Sequence, residues 1–200
     1  MQSFRPLTDE ELITAYNDVF TEAFPPAELK PLSSIQAMTK DGIYTTLGLF
    51  EDDKRLLGCI CLWMDRPYIL IDYLCVPHTL RNGGFGAELI RRTIAAYPAD
   101  TIFIGEVEAP TGNAEADAII YRRLGFYQRC GAITLDYDTA LFGVHYKTIV
   151  WGQPPIDEAE VLRHHHDIYQ RRFPPEAFAA FIQIPLHPGE AVHPVRDWEQ

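Results

Sequence analysis

The feature that most constrains the fold is a long apolar run that leads directly into a glycine-rich loop. Residues 68–76 form the apolar run, and their Ile and Leu content is typical of a central strand buried on both faces. Residues 77–86 are rich in turn-forming residues, and side chains recur at helical spacing from Leu89 to Tyr97. The sequence therefore predicts a buried strand, a loop and a helix in direct succession.

The loop has the composition of an anion-binding turn. Gly83, Gly84 and Gly86 would let the backbone approach a ligand with no side chain in the way. Successive backbone N–H groups before a helix point into one concavity, and the helix dipole adds to them, so the geometry suits a pyrophosphate. The loop lacks the G-K-[ST] of a Walker A motif and the third glycine of a Rossmann fingerprint. By spacing alone, a plain turn remains the alternative.

The first 151 residues predict a mixed sheet with flanking helices. Thr8 and Glu11 form a capping box for a helix that reaches about Phe20, and Gly131 is placed to stop a helix that begins at Ala114. The predicted strands are residues 4–7, 44–50, 56–64, 68–76, 101–108, 132–137 and 145–151. The early strands read as antiparallel, whereas the later strand–loop–helix–strand order requires parallel neighbours. The pattern predicts an α/β (α+β) sheet of six to seven strands.

Residues 152–200 are predicted to form a helical C-terminal extension that packs on the domain of residues 1–151. Acidic residues precede basic ones between residues 157 and 170, which is the polarity that the helix dipole favours. The extension is too short to build a core of its own. The three successive histidines at residues 164–166 point in different directions on a helix, so they cannot converge on one metal ion. We expect a solvated or interface helix there.

Composition argues against several functional classes. A chain of 200 residues is about one domain, and a net charge of −11 without a basic face predicts no nucleic-acid partner. The sequence has no secretory signal and no run of about 20 apolar residues, so we expect a cytoplasmic protein without a membrane partner. The four cysteines lack paired C-x-x-C motifs, which predicts buried free thiols and no metal.

After Val76, the order Arg81-x-x-Gly84-x-Gly86 resembles the acetyl-CoA signature of the GNAT (Gcn5-related N-acetyltransferase) family, [QR]-x-x-G-x-[GA]. The resemblance covers residues 4–151 and implies a GNAT-like, splayed central sheet with acetyl-CoA as co-substrate. In that family, loop amides hold the CoA pyrophosphate, and backbone groups at the strand end hold the pantetheine arm. The cofactor-binding residues that this implies are Leu74, Cys75, Val76, Arg81, Asn82, Gly83, Gly84, Phe85 and Gly86.

The family's second signature is a helical Tyr followed by a glycine turn, roughly Y-x-x-x-G-[FA]. Two registers fit, Tyr121 with Gly125 and Tyr127 with Gly131. We prefer Tyr127, because a strand-like run follows Gly131 whereas helix-compatible sequence follows Gly125. The resemblance implies that this Tyr protonates or solvates the departing thiolate. The Asn that many members carry seven residues before the Tyr is replaced here by Ile120.

Together these features predict an N-acyltransferase that passes an acetyl group to an amine of a small molecule or peptide by direct attack. Glu106 is the candidate base on a strand that should border the thioester, with Glu108, Asp72 or a water as alternatives. The Val76 N–H is the candidate oxyanion donor, and Tyr127 is the candidate acid. A non-catalytic acyl-CoA sensor is the alternative function. The acceptor stays open, and we expect a monomer or a homodimer.

Overall fold

The computed structural model describes residues 1–26 and 28–194, which fall into two compact units, residues 1–98 and residues 99–194. The strands are β1 (Gln2–Pro6), β2 (Tyr44–Glu51), β3 (Arg55–Asp65), β4 (Tyr68–Cys75), β5 (Ile102–Glu108), β6 (Ile133–Leu141), β7 (Val144–Trp151) and β8 (Ile182–Leu186). The helices are α1 (Asp9–Ala15), α2 (Thr21–Ala23), α3 (Leu32–Lys40), α4 (Phe85–Ala95), α5 (Ala114–Arg129), α6 (Glu158–Gln170) and α7 (Pro175–Phe181).

The first unit is an antiparallel sheet in the order β1-β2-β3-β4, with α4 packed against β3. Gly58 of β3 makes this packing possible. A Cβ at that position would lie 2.8 Å from the Cys75 carbonyl oxygen and 2.9 Å from Leu89 Cδ1. Because only glycine leaves that space free, Gly58 lets α4 settle against the sheet beside the end of β4.

The capping box at the start of α1 is confirmed. The Thr8 hydroxyl accepts from the Glu11 N–H, and the Glu11 carboxylate accepts from the Thr8 N–H. Both Glu11 oxygens also accept from the Arg5 guanidinium, at 2.7 and 2.8 Å. The arginine lowers the pKa of Glu11 to about 2, and the Thr8 N–H adds to the effect. A π-helical turn, Tyr16–Phe20, then joins α1 to α2.

The second unit is an antiparallel sheet in the order β5-β7-β6-β8, with α5, α6 and α7 beside it. The predicted end of β6 at residue 137 is wrong, because the strand continues to Leu141. The turn needs only Phe142 and Gly143, whose φ angles of 49° and 81° suit a tight hairpin. The N-cap of α6 is Asp157, whose side chain accepts from the Glu160 N–H at 3.1 Å.

The predicted fold class is confirmed, with eight strands and flanking helices where six to seven strands were predicted. The additional strand is β8, which the C-terminal extension contributes and which pairs with β6. The predicted splay lies between the two units and stays a prediction, as does the domain division at residue 151. Within residues 1–26 and 28–194, no helix is long and apolar enough to cross a bilayer.

Candidate active site

The glycine-rich loop joins β4 to α4 through a short 3₁₀ turn, His78–Leu80. Of the predicted ligand residues, Leu74 and Cys75 lie at the end of β4, where Leu74 pairs with Ile60 of β3. Val76 lies one residue beyond the strand. The Cys75 side chain is buried, and burial raises the pKa of its thiol, so only its backbone can serve a ligand.

The start of α4 offers backbone N–H donors that lack a side-chain cap. Gly84 is the N-cap with φ of 80°, and no side chain in the described part of the chain caps this helix. Since the first helical residues have no acceptor within their own helix, the N–H groups of Phe85 and Gly86 are left for a ligand. A Cβ on Gly84 would meet nothing within 4 Å, which is the open approach an anion needs.

The residues before Gly84 complete the loop. Asn82 has φ of 67°, a left-handed conformation that Asn tolerates better than most residues. Gly83 packs against the Phe85 ring, where a Cβ would lie 2.8 Å from Cε2. Arg81 and Asn82 are exposed. The loop thus combines an uncapped helix N-terminus, glycines that permit close approach and one exposed cation, which is a binding geometry for a phosphate group.

Asp72, one of the alternative bases, lies in a β-bulge of β4. The ladder pairs Cys61 with Tyr73 and Leu62 with Ile71, so Asp72 has no partner of its own on β3. Its side chain is only 6% exposed and forms an ion pair with Lys30 at 2.7 Å. The bulge therefore turns the carboxylate toward the segment that precedes α3.

Lys30 and Asp72 are held by aromatic side chains. The Tyr44 hydroxyl donates to Asp72 Oδ2 at 2.5 Å, and burial followed by the Asp72 charge raises the pKa of Tyr44. The Lys30 ammonium lies 5.1 Å from the Trp63 ring centroid and 5.3 Å from that of Tyr73. The Lys30 N–H also donates to the Tyr73 hydroxyl at 2.9 Å. This cluster fixes the chain before α3 to β4 and identifies Asp72 as a structural counter-ion.

Glu106, the predicted base, sits in a different network in the second unit. Its Oε1 is 2.8 Å from His165 Nε2, and the Tyr169 hydroxyl donates to its two oxygens at 3.1 and 3.0 Å. The other imidazole nitrogen, His165 Nδ1, is 3.0 Å from the Tyr137 hydroxyl. The Glu106 side chain remains 11% exposed, whereas that of His165 is completely buried.

Sequence reasoning did not find these partners of Glu106, and the predicted solvated or interface helix is wrong for His165. Only this one of the three histidines is fully buried, because it and Tyr169 are four residues apart and share the face of α6 that is buried. Val161 and Ile168 lie on the same face. This apolar stripe is the sequence feature that could have predicted the burial of His165.

Glu108, the third candidate acid, forms an ion pair with Arg123 of α5. The three carboxylates therefore differ in kind. Asp72 and Glu108 each form an ion pair with a Lys or Arg side chain. Glu106 instead accepts hydrogen bonds from one imidazole and one hydroxyl. Within residues 1–26 and 28–194, no three His, Cys, Asp or Glu side chains are arranged to hold a metal ion.

The two tyrosine registers differ in their surroundings. Gly131 has φ of 89° and follows the last turn of α5, where its N–H donates to the Gln128 carbonyl. Gly125 lies inside α5, and Tyr121 is 60% exposed. Tyr127 is half-buried and packs edge-on against Trp151 with centroids 5.8 Å apart. The helix therefore ends at the glycine that pairs with Tyr127 in the signature.

A sequence model of the Acetyltransferase (GNAT) family matches residues 10–132, more than half of the chain and a range that ends one residue after Gly131. The chain belongs to the GNAT acetyltransferase family. The predicted resemblance is therefore confirmed. A search of curated protein sequences returns no match.

Solved structures of GNAT proteins have the same fold at low sequence identity. One from Bacteroides thetaiotaomicron, assigned to the GNAT family, is 23% identical with a TM-score of 0.66 over 82% of this chain and 94% of that one. Spermidine N-acetyltransferase from Vibrio cholerae, solved with CoA and spermine, is 12% identical with a TM-score of 0.53 over 75% and 94%. The ribosomal-protein-S18-alanine N-acetyltransferase from Escherichia coli is 14% identical with a TM-score of 0.54 over 78% and 99%.

Proposed function

We propose that this GNAT-family protein transfers the acetyl group of acetyl-CoA to an amine of a small molecule or peptide. The observation that carries the proposal is the uncapped start of α4, where Gly84 leaves open space beside the first N–H groups of the helix. A diphosphate bound there would satisfy helix donors that no described side chain satisfies. Leu74 and Val76 would hold the pantetheine arm through their backbone groups, as the family resemblance implies.

Acetyl-CoA supplies an activated thioester carbonyl when bound, and the chain must handle two protons. The amine loses one proton as its nitrogen gains the acetyl group. We assign that proton to Glu106, since Asp72 and Glu108 are each engaged by a permanent cation that stabilises their charged forms. The departing sulfur gains a proton, which we assign to the Tyr127 hydroxyl. The Val76 N–H is our candidate for stabilising negative charge on the carbonyl oxygen.

The acceptor class follows from charge rather than from a mapped pocket. A net charge of −11 favours cationic, amine-bearing substrates over anionic ones. The spermidine and ribosomal-protein-alanine acetyltransferases with this fold act on a polyamine and on a protein amine, as their names state. A primary-amine acceptor is therefore the class we propose.

Calorimetric titration with acetyl-CoA and with CoA tests the binding half of this proposal. We expect saturable binding to the wild type and none to Gly84→Glu, because a carboxylate would occupy the anion site. Gly42→Glu is the matched control, since Gly42 lies in the same unit, has φ of 73° beside the 80° of Gly84, and likewise has open space around a Cβ. Equal affinities of the two variants, or no binding by the wild type, would contradict the proposal.

A further inference from the structure

His165 links three separate elements of the second unit. It comes from α6 in the C-terminal extension, and it contacts Glu106 of β5 through Nε2 and Tyr137 of β6 through Nδ1. Its neighbours on the helix differ from it. His164 and His166 are 25% and 34% exposed and lie near acidic side chains of α6 itself, whereas His165 is 0% exposed. A buried polar ring of this kind is retained where both nitrogens have partners.

The hydrogen bond to Glu106 places a proton on His165 Nε2. Burial raises the pKa of Tyr137, so its hydroxyl stays protonated and can donate to His165 Nδ1. A carboxylate can only accept, so the imidazole is the donor in the bond to Glu106. A hydrogen-bonded chain therefore links Tyr137, His165 and Glu106. Tyr169 donates to the same carboxylate from one turn further along α6.

We infer that His165 is a positioning residue, which the C-terminal extension supplies to hold the Glu106 carboxylate in the orientation needed to accept the proton of the substrate amine. This inference rests on the proposed function. His165 donates to Oε1 and Tyr169 to both oxygens, and the carboxylate keeps further lone pairs with which it can take the proton from the amine. His165 itself keeps its proton throughout. Residues 152–194 thus contribute to the site and are more than a support for the sheet.

The role of His165 is to fix the position of the Glu106 carboxylate. An unsupported Glu side chain can rotate about its terminal bond, and a misplaced base loses catalytic efficiency even when the substrate binds normally. Loss of the outer-shell partners that orient metal ligands typically costs about tenfold to a hundredfold, and we expect a comparable cost for a partner that orients a base. His165 and Tyr169 orient the Glu106 carboxylate through hydrogen bonds, whereas Lys30 holds Asp72 in an ion pair.

Two amide substitutions in the full chain separate positioning from packing. The amide nitrogen of His165→Gln reaches about as far as Nε2 and can still donate to Glu106, whereas that of His165→Asn reaches only as far as Nδ1. Both are neutral, polar and smaller than histidine. For each variant, thermal unfolding checks the fold, calorimetry gives the Kd for acetyl-CoA, and thiol release with a polyamine and with a peptide that begins with alanine gives kcat and KM.

We expect His165→Gln to keep most of the wild-type kcat and His165→Asn to lose about tenfold to a hundredfold, with the Kd for acetyl-CoA and the KM for the amine unchanged in both. Equal kcat values of the two variants beside intact acetyl-CoA binding would overturn the inference alone. A wild type that fails to bind acetyl-CoA would overturn the proposed function, and the inference with it.

Discussion

Two largely buried carboxylates, one in each unit, have different surroundings. Asp72 of β4 faces the Lys30 ammonium at 2.7 Å and the Tyr44 hydroxyl, while Glu106 of β5 faces His165 and Tyr169. Ion pairs and hydrogen bonds both stabilise the charged form of a carboxylate, but Lys30 engages Asp72 in an ion pair, whereas the donors on Glu106 also fix its orientation. The comparison teaches that burial alone does not identify a catalytic acid or base. The kind of partner that engages each carboxylate must be considered as well.

The strongest test of this comparison is the loss of Glu106. We expect Glu106→Gln to lower kcat for acetyl transfer by about 10²–10⁴-fold, because general base catalysis contributes in that range. Acetyl-CoA binding by calorimetry should be unchanged. Glu108→Gln is the matched control on the same strand and should stay close to the wild type. A normal kcat for Glu106→Gln would assign the proton to another group.

The corresponding test for Asp72 is the stability of a variant that lacks Lys30. Lys30→Met leaves Asp72 buried without its cation, so we expect the free energy of unfolding to fall by about 3–5 kcal/mol in urea denaturation. Arg55→Met removes an ion pair whose side chains are 60% and 49% exposed, and it should cost less than about 1 kcal/mol. A similar small cost for both variants would mean that the buried pair is not a structural clamp.

We expect a smaller effect on kcat from the test of which tyrosine, Tyr127 or Tyr121, acts in catalysis. Tyr127→Phe removes the hydroxyl that we assign to the departing sulfur, and we expect kcat to fall by about a hundredfold, the lower end of the range for general acid–base catalysis. Tyr121→Phe changes a side chain that is 60% exposed and should leave kcat near the wild-type value. Single-turnover thiol release would measure both. The reverse order of effects would favour the Tyr121–Gly125 register.

The smallest effect concerns pH and a carboxylate outside the site. The pKa of Glu11 is about 2 when folded and about 4.5 in its ordinary state, so its stabilisation is present above pH 4.5 and disappears as the pH falls to about 2. We expect Glu11→Gln to lower stability at pH 7 by no more than about 1 kcal/mol, given its partial exposure. The difference from wild type should vanish near pH 2 in thermal unfolding, with Glu22→Gln as control.

Local features of the sequence predicted the fold and the loop well. The capping box at Thr8 and the glycine stop at Gly131 each depend on a few neighbouring residues, and both are confirmed. The family signature from Arg81 to Gly86 is equally local. Chain segments of this kind determine their own backbone geometry, which is why spacing alone reveals them.

Features that depend on contacts between distant parts of the chain could not be predicted from the sequence. The bulge at Asp72 is a property of the β3–β4 register, and the single charged residue within the apolar run of residues 68–76 does not reveal it. His165 meets Glu106 across 59 positions of the chain. The extra strand β8 is five residues long and includes Pro185, so neither its length nor its composition marks it as a strand. Each of these requires knowledge of what packs beside it.

The most direct test of the central claim is to identify the product. Incubation of the wild type with acetyl-CoA and a polyamine, followed by mass spectrometry, should give N-acetylated amine in a one-to-one ratio with free CoA. Glu106→Gln should bind acetyl-CoA yet form little product. Saturable acetyl-CoA binding without acetylation of a polyamine, a peptide amine or any other primary amine would contradict the account, and it would favour a non-catalytic acyl-CoA sensor.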